Sequence, residues 1–212
     1  YTYNDTIGVS VPFETGFACA VPALPLYRFL KKLSDEQVTL SMLDTGELMV
    51  KGKRGKAKLK VVDGVKLPFD EKVEKAETVA AIERSGDFSK GLKFCLFTVS
   101  KNAQNPETGC VHVGSDNRGT YCESTDSTRL TRYYFTKTTL PINILVPLEA
   151  AQALVNYKVV GIAQAEGWLV FKCEGDVVFA TWTTSFAFPD LMKYIKGFSE
   201  PVASINLPDN LI

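Results

Sequence analysis

Two helix-like stretches carry lines of cations: Arg28, Lys31 and Lys32 at three-to-four-residue spacing in the first, and Lys90, Lys93 and Lys101, a similar line broken by Phe97, in the second. Flexible ammonium and guanidinium groups in such a line can hold phosphate oxygens without reading bases, the chemistry of sequence-independent polyanion binding. A solvated helix face has the same pattern, so spacing alone leaves both readings open. A third helix-like stretch offers only Glu149, Gln152, Asn156 and Lys158 in that place. The basic run from Lys51 to Lys60 lacks the GxxxxGK[ST] spacing of a phosphate loop and falls in a hairpin rather than before a helix. Within it Lys56, Lys58 and Lys60 alternate along one strand, as on a solvated sheet face or an edge guarded against pairing.

Residue types for catalysis do not converge. The only histidine, His112, sits in an alternating run and reads as a sheet-surface or hydrogen-bonded buried group rather than a base. No Ser or Cys lies in a nucleophile-elbow context, and the acidic residues form no metal-ligand spacing, so no cofactor or metal is implied. The five cysteines (Cys19, Cys95, Cys110, Cys122, Cys173) are odd in number, widely spaced and without a CxxC pair. That argues against a disulfide framework and a zinc site, and favours reduced core thiols in a cytoplasmic protein. With 24 basic and 24 acidic residues the net charge is zero, so any affinity for nucleic acid must come from a local patch. No apolar run approaches the roughly 18 residues of a membrane span, and no segment resembles a signal peptide, so a soluble protein is expected.

The elements that would position these residues follow from periodicity. Pro22 and Pro25 suit a first helical turn, and Leu26, Phe29, Leu30 and Leu33 continue as an amphipathic helix. Three β-rich runs follow at 38–43, 47–52 and 56–62, separated by Thr45-Gly46 and Lys53-Arg54-Gly55. The same order recurs as a helix over 87–101 with runs at 109–115, 118–124 and 129–136, and as a helix over 147–157 with runs at 159–165, 168–173 and 176–182. Asp87 is placed to cap the second helix. A strand-like run precedes each helix (7–12, 78–84, 142–145), so the unit is βαβββ. Repeated units with helices on one face of antiparallel sheets make an α+β fold. The segment Asp63 to Lys75 reads as a linker between domains.

The units are also related in sequence. Asn4-Asp5-Thr6 recurs loosely as Thr125-Asp126-Ser127 (126 − 5 = 121), Val21-Pro22 as Val146-Pro147 (146 − 21 = 125), Leu48-Met49-Val50 as Leu169-Val170-Phe171 (169 − 48 = 121), and Val79 to Ile82 as Val202 to Ile205 (202 − 79 = 123). A repeat of this length reads as an array of similar domains. Tyr1 in place of Met, and an end at Ile212 just after the helix-start signal Pro208-Asp209, make the chain read as a window on a longer array.

At Thr125-Asp126-Ser127-Thr128-Arg129-Leu130 and Phe186-Ala187-Phe188-Pro189-Asp190-Leu191, the sequence resembles the bacterial-type DNA polymerase sliding clamp, the β subunit. That family carries a T-D-x-x-R-L run closing the first half of its middle domain and an R-F-P-D-Y/F-like run closing the second. The resemblance implies the DNA-clamp fold, with 1–69 as the second half of a first domain, 70–198 as a complete middle domain and 199–212 as the opening strand of a third. Ser127-Thr128 stands where the family has Gly-His or Gly-Tyr, and Glu107 where it has an apolar residue, which marks a divergent clamp of phage or prophage kind.

What the resemblance implies about function is a non-enzymatic processivity factor. Full chains would form a homo-oligomeric ring dimer around double-stranded DNA. The cations Arg28, Lys31, Lys32, Lys90, Lys93 and Lys101 would then face the duplex. A polymerase and a clamp loader would dock short apolar peptides into a groove walled by Thr125, Ser127, Thr128, Arg129 and Leu130 on one side and Pro189, Lys193 and Tyr194 on the other. The plainer reading is that Thr125-Asp126 caps a turn and Phe188-Pro189 packs a domain end. Two other readings remain: a small α+β nucleotide- or sugar-modifying enzyme, against which the missing polar cluster speaks, and a two-domain clamp closing as a trimer, against which the restart at Val202 speaks.

Overall fold

The computed structural model describes residues 2–4, 6–63, 73, 75–101 and 106–195. Two strands, β1 (Thr2–Tyr3) and β2 (Ile7–Ser10), precede helix α1 (Ala23–Leu30) and the meander β3 (Thr39–Met42), β4 (Glu47–Lys51), β5 (Lys56–Lys60). Strand β6 (Glu77–Ala81) leads into α2 (Ser85–Cys95) and the meander β7 (Cys110–Asp116), β8 (Gly119–Thr125), β9 (Leu130–Thr136). Strand β10 (Ile144–Pro147) leads into α3 (Leu148–Leu154) and β11 (Val159–Ala165), β12 (Trp168–Cys173), β13 (Val177–Trp182), with a short helix α4 (Met192–Ile195) beyond. The expected βαβββ order is therefore present, and the repeat partners at Val21-Pro22 and Leu48 to Val50 occupy places that match those of Val146-Pro147 and Leu169 to Phe171. Pro22 and Pro147 stand at the N-cap positions of α1 and α3, each with extended ψ that hands the chain into the helix. Leu48 and Val50 of β4, and Leu169 and Phe171 of β12, are buried in inner strands of their sheets.

Contacts gather the described residues into two compact units, one from the stretches up to Glu83 and Lys158–Trp182, the other from Arg84–Tyr157 and the stretch from Thr183 to Ile195. The first holds a three-stranded sheet, β3-β4-β5, and a six-stranded sheet ordered β1-β2-β13-β12-β11-β6. Helix α1 lays Leu26 and Phe29 on Leu48, Val50 and Leu59 of the smaller sheet, while Leu24 and Tyr27 stay exposed. The second unit holds the four-stranded sheet β10-β7-β8-β9, all antiparallel, with α2 packed on β8 and β9 and α3 packed on α2, β7 and β10. Each opening strand joins the other meander: β6, which precedes α2, pairs with β11, and β10, which precedes α3, pairs with β7. The residues under the helices form the core of this unit, with Phe88, Leu92 and Cys95 of α2 and Val111 and Val113 of β7 fully buried. Burying side chains of this size stabilises by roughly 1.5–3 kcal/mol each.

The structure corrects several expectations. Helix α2 begins at Ser85 with Arg84 at its N-cap position and no side-chain cap. Asp87 lies inside the first turn, 3.6 Å from the Arg84 guanidinium, where its charge suits the helix dipole. The helix ends at Cys95 rather than near 101, because the chain turns at Leu96, with Phe97, Thr98 and Val99 bonding back to Phe94 and Cys95 carbonyls. All five cysteines are free thiols, but Cys19 is exposed rather than in a core. The linker Asp63 to Lys75 lies mostly outside the described residues, and the segment 199–212, with the recurrence at Val202, lies wholly outside them. Among the described residues no helix is long and apolar enough to cross a membrane.

Candidate functional site

The turn between β8 and β9 carries the first set of residues that the sequence singles out, Thr125 to Leu130. Asp126 Oδ1 accepts hydrogen bonds from the Thr128 amide (3.1 Å), the Thr128 hydroxyl (2.8 Å) and the Arg129 amide (2.8 Å). Thr125 is buried and donates its hydroxyl to the Arg129 carbonyl at 2.7 Å. Ser127 sits at φ 73°, in the left-handed region that favours glycine. The Arg129 guanidinium bonds Asp126 Oδ2 through Nε (3.0 Å) and Nη2 (2.6 Å) and lies 4.7 Å over the Phe97 ring. The Arg129 hydrogen bonds, then those of Thr128, hold the Asp126 carboxyl well below the usual carboxylate range. The turn-capping reading of Thr125-Asp126 thus holds, and the turn presents Ser127, Thr128 and half of Arg129 outward.

The second set lies on the strap that leaves β13. Thr183 donates its hydroxyl to the Leu145 carbonyl at 3.2 Å, tying the strap to β10. Phe188 then stacks on His112 of β7, rings 4.9 Å apart at 25°. Pro189 is half-buried, Leu191 is buried, and Asp190 Oδ1 accepts from the Met192 amide to start α4. On α4, Lys193 and Tyr194 are exposed, Tyr194 by 64%.

Between the two sets runs a row of charge that composition and spacing did not single out. On the face of the sheet away from the helices, His112, Glu123 and Arg132 stand opposite one another on β7, β8 and β9. His112 Nδ1 donates to Glu123 Oε1 at 2.7 Å, and His112 Nε2 lies 2.8 Å from Asn143 Oδ1. Glu123 Oε2 accepts from Arg132 Nε at 2.8 Å and from Nη2. The Arg132 guanidinium covers the Tyr121 ring at 4.1 Å and has Asp116 Oδ2 3.6 Å away, which also accepts from the Tyr134 hydroxyl at 2.6 Å. These side chains are nearly sealed from water, Glu123 at 3% exposure, Arg132 at 7% and His112 at 13%. Ionised groups this deep survive only when paired, and here each carboxylate has more than one donor. One step along the same face, Thr125 stands opposite Leu130, so the row lies beside the turn that carries the T-D-x-x-R-L motif. His112 is thus a satisfied, mostly buried group, as its sequence context suggests, but it touches the strap. The only available signal was a charged residue recurring in strand runs beside the T-D-x-x-R-L motif.

The helix cations are exposed. Arg28 lies in the last turn of α1, Lys31 is its C-cap and Lys32 lies in the following turn; Lys31 Nζ lies 5.7 Å over the Tyr27 ring. On α2, Lys90 and Lys93 are exposed together with Phe94, and Phe97 in the turn beyond the helix is 71% exposed. Because α2 stops at Cys95, Lys101 is off the helix and does not extend their line. Lys56, Lys58 and Lys60 project from β5, an edge strand of its sheet. Among the described residues no three His, Cys, Asp or Glu side chains gather as a metal site.

No protein-family model and no curated protein sequence matches the chain. Solved structures do. A DNA polymerase III β subunit from Eubacterium rectale superposes with a TM-score of 0.71 at 14% identity, over 92% of this chain and 56% of that one. The sliding clamp of Bacillus subtilis gives 0.67 at 19% identity, over 92% and 56%, and that of Pseudomonas aeruginosa bound to griselimycin gives 0.69 at 15%, over 90% and 54%. The chain therefore spans about half the length of the clamps it matches. Its strand exchange, paired helices and repeated meanders are those of the α+β fold of the DNA polymerase III β sliding clamp.

Proposed function

We propose that this chain is part of a DNA sliding clamp, a processivity factor without turnover of its own that tethers a replicative polymerase to its template. The observation that carries the reading is the match to β-clamp structures over about nine-tenths of the chain, with the motif turn and the strap on one unit. In this reading residues 1–69, 70–198 and 199–212 belong to successive clamp domains, and full-length chains close as a ring dimer in the cytoplasm. Arg28, Lys31, Lys32, Lys90 and Lys93 meet phosphates of duplex DNA, and flexible lysines suit a contact that must slide.

Polymerase and loader peptides enter the groove between the turn and the strap. Leu130 and Pro189 supply an apolar floor, Tyr194 an aromatic anchor, and Lys193 with the outward half of Arg129 the donors for peptide carbonyls or acids. A retention experiment tests the ring: the full-length protein, loaded by its clamp loader, stays on nicked circular DNA and runs off the same DNA once it is linearised. Equal retention on both forms would reject topological linkage.

A further inference from the structure

The row His112–Glu123–Arg132 joins both walls of the candidate groove. At one end His112 carries the strap through Phe188, the residue before Pro189. At the other, Glu123 and Arg132 stand one step from Thr125 and Leu130 on the same strands and the same face. The imidazole has a seat made for it: a Cβ on Gly114 would come within 2.8 Å of His112 Cε1 and 3.1 Å of the Tyr121 hydroxyl, so only glycine leaves the ring its place. Glu123 and Asn143 then fix its two nitrogens from neighbouring strands.

We propose that His112 is the positioning residue of the partner groove, a clasp that sets the strap bearing Pro189, Lys193 and Tyr194 at a fixed distance from the wall bearing Leu130. This rests on the groove reading above. Packing alone would be served by apolar residues, and a buried charged row is a costly way to fill space. What the row adds is direction: two hydrogen bonds fix the plane of the imidazole, and the Phe188 ring lies at 25° to it. His112 touches no peptide; its effect passes through Phe188.

The test uses a fluorescein-labelled Leu- and Phe-rich peptide on the wild-type chain, Phe188→Ala, His112→Gln and the double variant. Gln at 112 keeps a donor for Glu123 and removes the stacked ring, and Phe188→Ala leaves the charged row intact if the first variant does not fold. Each single change weakens peptide binding by about tenfold, roughly 1.4 kcal/mol, and the double no more than either alone, because both break one contact. Folded variants that bind as wild type, or a double effect equal to the product of the singles, would overturn the clasp. As the chain has one histidine, its Cε1–H resonance gives a peptide-free readout: Phe188→Ala shifts it. If wild type ignores the peptide the groove reading fails, and an unmoved resonance in Phe188→Ala then overturns the clasp separately.

Discussion

Asn4 and Asp126 do the same work in two hairpins 122 residues apart (126 − 4 = 122). Asn4 Oδ1 accepts from the Thr6 amide, the Thr6 hydroxyl and the Ile7 amide at 2.9, 3.0 and 2.7 Å, as Asp126 Oδ1 does from Thr128 and Arg129. In both turns the residue's own amide closes the hairpin on the carbonyl three residues on. The structural register is thus Asn4 with Asp126, one residue away from the sequence pairing of Asp5 with Asp126. The two turns differ in that Asp126 also holds Arg129, where its counterpart faces Ile7.

That difference predicts a pH dependence. The Asp126 carboxyl is depressed, chiefly by Arg129, so its contribution to stability is complete above the ordinary carboxylate range and is lost as pH falls through that range and below it. Asp126→Asn keeps the turn, as Asn4 shows, and deletes the ion pair. Melting curves of wild type and Asp126→Asn should differ at pH 7 and converge toward pH 2; an unchanged gap between them would assign the stabilisation to the turn bonds alone.

Glycine substitutions separate a seat from an ordinary backbone position. Gly114→Ala forces His112 or Tyr121 to move and should cost about 1–3 kcal/mol, as overpacking does. Gly86, in the first turn of α2, has open space around a Cβ, and Gly86→Ala should stabilise by about 0.4–1 kcal/mol. Denaturant titration of both reads the contrast; equal effects would mean that the seat is not tight.

Much of this fold is legible in the sequence because its elements are local. Short β-rich runs bounded by turn residues mark β7, β8, β11 and β12 to within a residue or two, and Val21-Pro22 with Val146-Pro147 marks two helix starts. The end of α2 is not legible, since Phe94, Leu96, Phe97 and Val99 keep the pattern apolar while the backbone turns. Nor is the exchange of β6 and β10 between meanders, which depends on pairing between distant segments. The site divides in the same way. The turn Thr125 to Leu130 is contiguous and carries its motif, whereas His112, Glu123 and Arg132 become neighbours only through strand register.

The proposed groove anchors predict a graded loss. Leu130→Ala or Tyr194→Ala in the full-length protein should weaken binding of an apolar polymerase-tail peptide by roughly 1–2 kcal/mol, the range of a truncated interface anchor. Calorimetry decides, and wild-type affinity in both variants would move the partner site elsewhere.

Replacing Arg28, Lys31, Lys32, Lys90 and Lys93 with Ala should shorten residence on DNA uniformly across sequences and flatten its dependence on salt, because fewer counterions are released on binding. Replacing Lys56, Lys58 and Lys60 on β5 is the control. An equal loss from the control set would show that the helices have no special part.

The most direct test of the clamp reading is primer extension by the cognate polymerase on a long primed circular template, with the loader present and the full-length protein added or withheld. The account predicts products lengthened severalfold at an unchanged rate of initiation. Product lengths that stay the same when a functioning loader is shown to act would contradict it.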